Sequence, residues 1–406
     1  MNGMSSHTGS PQVRKASQSA RIHAVQKPII PIVGELTQAQ PGTISLGQGV
    51  VAYPPPRQAL EQIAHFTAQP QNHKYKLVQG IPELLSEIQQ KLSTDNGIQV
   101  EALEQVVVTA GSNMGFNNAV LAIADPGDEI ILPAPFYFNH EMAIRMANCV
   151  PKIVPTKENH QLDLNRLFAA IGPRTKAIVT ISPNNPSGAI YPPSDLKAVN
   201  DKCGELGLYH ISDEAYEYFT YDGAQHFSPG SLPDAKEHTI SLYSLSKAYG
   251  FASWRIGYMV IPPHLLEAVK KIQDTILICP PVISQYAACG ALQAGKGFWK
   301  PKVEHLASVR EMVMDQLSEL RNYASVAEAK GAFYFLIKLP HQDDPLDVIR
   351  HLISRHSVAA IPGTAFGLQD GCFIRLAYAA LERDSLREGI GRFVSGIISY
   401  EKQRAR

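Results

Sequence analysis

The sequence predicts an α/β fold: a mainly parallel sheet flanked by helices, followed by a smaller α+β domain. Three observations predict it. From about residue 105, short β-branched runs alternate with longer helical patterns. Each run ends in a turn or a polar cluster, as buried strands do. From about residue 296 the order changes to a long helix followed by alternating strands and helices. Strand, loop and helix repeated in the first manner imply right-handed crossovers between parallel strands.

Taken in order, residues 1–17, "MNGMSSHTGSPQVRKAS", are small and polar and hold Arg14 and Lys15 but no acidic residue. They read as a disordered tail, with a targeting segment as the alternative. Residues 18–48 are read as an N-terminal segment that helps complete the small domain. The large domain is placed at 49–295, where "EQVVVTAG", "DEIILPAP", "KAIVTISPNNPSG", "LYHISDEAY" and "TISLYSLSK" are the buried strands. The small domain is placed at 296–406. It opens with "GFWKPKVEHLASVREMVMDQLSELRN", a long amphipathic helix, and continues through "GAFYFLIKL", a helix, "VAAIPGTAFG", "CFIRLAYA" and a last helix.

Lys+Arg and Asp+Glu are equal at 37 each, so no overall field favours nucleic acid or an anionic membrane, and a small-molecule partner is expected. Five cysteines, widely spread and without CxxC spacing, suggest neither a disulfide framework nor a metal site. A reducing, cytoplasmic compartment is the expectation. No apolar run approaches the length of a membrane span.

In sheets of this kind ligands bind beyond the carboxyl ends of the strands. The polar residues at those ends are Ser112 and Asn113, Tyr137, Asn185, Asp213, Ser244 and Lys247. Lys247 ends the apolar run "TISLYSLSK", where an unpaired ammonium would be costly. Alone it reads as a solvated lysine after a strand. Ser244 three residues before it and Arg255 eight after it favour another reading, an amine beside a phosphate cup, which suits pyridoxal 5'-phosphate (PLP). Asp213 reads either as a helix cap or as the buried carboxylate that keeps the cofactor's ring nitrogen protonated. Asn185 in "NNPSG" reads as a turn residue or a ligand, and "TAGSNMG" as a glycine loop or a phosphate site at a helix N-terminus.

The order "TISLGQG", "AGSN", "APFY", "NNPSG", "SDEAY", "SLSK" with Arg255, and "FIRLAY" resembles the class I/II aminotransferases, the fold-type I PLP-dependent enzymes, over nearly the whole chain. The resemblance implies a ping-pong exchange of the amino group between an L-amino acid and a 2-oxo acid. It implies that Lys247 carries the cofactor as a Schiff base and then moves the proton between substrate and cofactor. Asp213 would pair with the pyridine nitrogen, Asn185 and Tyr216 would bond the phenolate oxygen, and Tyr137 would stack on the ring. Gly111, Ser112, Asn113, Ser244 and Arg255 would hold the phosphate, with Tyr75 reaching the phosphate of the neighbouring subunit in a homodimer. Arg375 would grip the substrate carboxylate, with Asn185 and Gly49 beside it.

Other PLP reactions on the same scaffold share these residues: a β-lyase, a cyclase, or an elimination like that of aminocyclopropane-carboxylate synthase. A transcription regulator with a sensor of this fold is not expected, because the residues preceding the resemblance leave no room for a DNA-binding domain. The chain departs from the family pattern after Gly49. It reads "GVVAYPPP", so Val50, Val51, Ala52 and Tyr53 are expected to alter the lid over the substrate. A neutral or aromatic amino acid is expected in preference to aspartate, since position 113 is asparagine and "TILICPPVISQYAA" carries no charge, while "PFYF" and Tyr53 offer aromatic walls.

Overall fold

The computed structural model describes residues 18–100 and 103–405. The proposed tail at 1–17 lies outside the described residues. The first strand, β1 (Ile44–Ser45), precedes a seven-stranded sheet made of β2 (Val106–Thr109), β3 (Glu129–Ala134), β4 (Val150–Pro155), β5 (Thr175–Ile181), β6 (Tyr209–Asp213), β7 (Thr239–Ser244) and β8 (Gly257–Val260). Its order is β2-β8-β7-β6-β5-β3-β4. The strands from β4 to β7 pair in parallel, and β8 runs antiparallel between β7 and β2.

Alternate side chains of these strands enter separate cores, as the two-residue period requires. Ile130, Leu132, Ala177 and Val179 pack with Phe116, Val120 and Ile144 on one face. Ile131 and Ile178 pack with Leu167, Leu196 and Val199 on the other. Burial on both faces is why the strands read as unbroken apolar runs.

Two strands of this sheet escaped the sequence reading. β4, "VPKIVP", is the edge of the sheet; only Val154 in it is buried, and its two prolines are tolerated because one side of the strand needs no ladder bonds. β8 has only four residues, "GYMV", all buried. The long helix also starts earlier than expected: it runs Val282–Leu317 and is interrupted at Gly295, whose φ of 49° and ψ of −144° are not helical.

A second, antiparallel sheet is formed by β9 (Ser325–Val326), β10 (Tyr334–Leu339), β12 (Ile361–Pro362) and β13 (Cys372–Ala377), in the order β12-β13-β10-β9. Between them in sequence, β11 (Val358–Ala359) pairs in parallel with β1. That pairing and the bond from the Ala377 amide to the Leu46 carbonyl (2.7 Å) bring the segment 44–49 against the second sheet and lead it into the site.

Candidate active site

The carboxyl ends of the parallel strands open on a cavity of about 210 Å³, which Gln48 and Gly49 and the second sheet's Tyr334 and Arg375 close from the other side. Ser112, Asn113, Tyr137, Asn185, Asp213, Tyr216, Ser244, Lys247 and Arg255 line it together with them. Gly111 borders the cavity without lining it. Tyr75 lies outside it, with 78 % of its surface exposed.

Lys247 follows β7. Its amine donates to the Gly49 carbonyl at 2.7 Å, and no acidic side chain among the described residues pairs with it. Burial, and after it the charge of Arg375, brings its pKa down to about 8. A substantial fraction of the amine is therefore neutral near physiological pH. Arg375, on β13, is fully enclosed. Its Nη1 donates to the Asn185 side-chain oxygen at 3.1 Å and its Nη2 to the Gly47 carbonyl at 2.6 Å. Nε is buried with no partner among the described residues. The guanidinium lies between the rings of Tyr334 and Phe366, 4.6 and 4.9 Å from their centroids. An enclosed cation held only by neutral groups is a ready site for an anion.

Asp213 ends β6. One carboxylate oxygen accepts from the Ala215 amide at 3.1 Å, and the other lies 3.1 Å from His140 Nε2. No helix follows Asp213, so it is not a helix cap: it secures a turn through the Ala215 amide and presents a buried carboxylate to the cavity. His140 in turn stacks on Phe116, with centroids 3.9 Å apart. The Tyr216 and Tyr334 hydroxyls meet at 2.6 Å. Burial raises the pKa of both Tyr137 and Tyr216, so both are neutral phenols.

The helix Ser112–Ile123 begins at the cavity with Gly111 as its N-cap, at φ 84° and with no side-chain cap bond. Arg255 fills the space where a Gly111 side chain would be: a Cβ there would sit 2.3 Å from Nη2. Positive φ and close approach together require glycine. Among the described residues Arg255 bonds backbone carbonyls, those of Ala252 and Ala110. Free amides, a guanidinium and the hydroxyls of Ser112, Ser244 and Ser246 form a cup for a multiply charged anion.

Phe138, in the "PFYF" expected as an aromatic wall, does line the cavity. Other residues of the site escaped the sequence reading: Ile30, Gln48, Ile181, Ala215, Ser246 and Tyr334 line the cavity, and His140 touches Asp213. Only His140 left a signal, three residues after Tyr137 where a helical turn would bring it back to the same side. Tyr53 corrects an expectation. It is not a cavity wall: its hydroxyl donates to the carbonyls of Lys247 and Ala248 at 3.2 and 3.3 Å and its ring packs edge-on against Phe298. Nor do Val50, Val51 and Ala52 line the cavity, because the Ala52 amide is tied to the Ala379 carbonyl at 2.8 Å.

The family model for aminotransferase class I and II matches residues 41–393, so the chain belongs to that family. It is a fold-type I, PLP-dependent aminotransferase acting on amino acids and 2-oxo acids. An aromatic aminotransferase of Arabidopsis thaliana, ISS1, is 33 % identical over 93 % of this chain and 96 % of its own. The aspartate/prephenate aminotransferase of Thermus thermophilus is 34 % identical over 88 % and 92 %. The solved structure of the Thermus thermophilus aspartate aminotransferase with maleate superposes with a TM-score of 0.87 at 32 % identity, covering 94 % of this chain and all of that one.

Proposed function

We propose that this aminotransferase prefers a neutral or aromatic amino acid donor, and that the cavity residues divide its work as follows. When bound, PLP supplies the carbonyl that takes up the amino group and a ring that withdraws electrons from the substrate carbon. The residues present suit it. The uncapped helix start at Ser112 and Asn113, with Gly111, Arg255 and Ser244, would hold the phosphate, and Asp213 would keep a protonated ring nitrogen. Tyr137 would cover the ring face, and Asn185 and Tyr216 would bond the ring oxygen. Lys247, at a pKa of about 8, holds the cofactor and then moves a proton at the substrate Cα. Arg375 and the Gly49 segment orient the substrate through its carboxylate, and the partnerless buried Nε of Arg375 supports that role.

The observation that carries the substrate preference is the wall itself. Ile30 and Phe138 are apolar, and Arg375 and Arg255 are the only arginines lining the cavity among the described residues, with Lys247 its only lysine. Both arginines already have roles, so a second carboxylate would lose hydration without a charged partner. Comparison of kcat/KM for phenylalanine, methionine and glutamine against aspartate, with one common 2-oxo acid acceptor, should favour the neutral donors by at least about tenfold. A clear win for aspartate would overturn the preference.

A homodimer fits the exposed apolar surface made by Tyr75, Leu77, Ile276 and Ile278, exposed by 78, 61, 53 and 41 %. Gln273, one turn before Ile276, bonds the Val78 carbonyl at 2.6 Å, so these segments adjoin. In that assembly Tyr75 would reach the partner's phosphate site. Sedimentation should give twice the chain mass, and Tyr75→Phe should weaken cofactor retention; a monomer would sink the idea. The pairing of β1 with β11 supports the division into residues 49–295 and 296–406, with 18–48 completing the smaller part. All five cysteines are buried thiols, which supports a reducing, cytoplasmic location; cell fractionation tests it.

A further inference from the structure

Tyr334 stands where the two halves of the cavity meet. It begins β10, where it pairs with Ala377, and Leu336 two residues on pairs with Arg375. Tyr334 and Arg375 are therefore diagonal neighbours on one face of the second sheet. That register lays the tyrosine ring under the guanidinium at 4.6 Å. Its hydroxyl points the other way, to Tyr216 at 2.6 Å. Gly49 is the third neighbour, and a Cβ there would come within 2.6 Å of the hydroxyl. The Gly49 carbonyl holds the amine of Lys247.

Both phenols are buried, and burial raises the pKa of each, so both are neutral. Either hydroxyl can donate across the 2.6 Å contact. In both arrangements the Tyr216 hydroxyl, which lines the cavity, is anchored to Tyr334.

We propose that Tyr334 is a positioning residue with two separable parts: its ring fixes Arg375 for the substrate carboxylate, and its hydroxyl anchors the Tyr216 hydroxyl within reach of the cofactor. This rests on the assignment of Tyr216 to the cofactor ring. The parts are separated by two substitutions in the holoenzyme. Tyr334→Phe keeps the ring and removes the hydroxyl. The pH midpoint of the bound cofactor's visible absorbance should rise by about half a unit or more, because a loosened Tyr216 bonds the ring oxygen less well. The Kd for 3-phenylpropanoate, a carboxylate without an amino group, should stay within about twofold. Tyr334→Leu removes the ring too, and that Kd should rise at least about tenfold.

Tyr216→Phe should move the midpoint in the same direction, and adding Tyr334→Phe to it should produce no further shift. If Tyr216→Phe moves the midpoint and Tyr334→Phe leaves it in place, this inference fails and the assignment of Tyr216 survives. A midpoint unmoved by Tyr216→Phe overturns both. Equal loss of 3-phenylpropanoate affinity in Tyr334→Phe and Tyr334→Leu, or additive midpoint shifts, would show that ring and hydroxyl do not act separately and would also overturn it.

Discussion

Replacing Lys247 with alanine is expected to lower turnover by about three to four orders of magnitude or more, the usual worth of a positioned general acid/base. Cofactor is nonetheless expected to stay with the protein. Lys247 follows β7, whereas the anion cup draws chiefly on the start of the helix Ser112–Ile123 and on Arg255, with Ser244 and Ser246 beside the lysine. None of those groups is the amine, so removing it leaves the cup standing. The fold should survive as well. An unpaired amine held by one carbonyl at 2.7 Å is a cost in the free protein rather than a support, and its lowered pKa says the same. Gel filtration followed by cofactor quantitation, together with single-turnover rates, checks both halves. Near-normal turnover in Lys247→Ala would sink the mechanism.

Asp213→Asn should slow Cα deprotonation by about two orders of magnitude, the scale of one buried electrostatic contact that acts in the transition state. The amide oxygen of asparagine can still accept from the Ala215 amide, so the turn is retained. What disappears is the negative charge that His140 and the cavity share. Unfolding midpoints should therefore differ little between the two proteins while single-turnover rates diverge. The reverse pattern, a loss of stability with unchanged rates, would make Asp213 a turn cap and nothing more.

How much of the site could be read beforehand depends on how each residue is carried. Asp213, Asn185, Tyr137 and Lys247 follow β-branched runs directly, so strand ends in the sequence became site residues in space. Tyr334 and Ile30 carry no such mark. Tyr334 reads as one more aromatic in "GAFYFLIKL", and its meeting with Tyr216 spans 118 residues. Tyr53 shows the opposite error: its type suited a substrate wall, yet its hydroxyl is taken up by the backbone at Lys247 and Ala248.

By itself the sequence determined the alternation of buried strands and helices, the order of the motifs along them, and thereby the family and its cofactor. These are properties of short segments, set by side-chain period, by turn residues and by the chemistry of single groups. The tertiary structure decided which neutral groups surround Arg375, that His140 backs Asp213, that Gly111 must yield its side-chain space to Arg255, and which side chains wall the substrate. Each of those depends on the distance between segments remote in the chain. Such distances follow from packing and strand register, as with Arg375 opposite Leu336, and no local pattern encodes them.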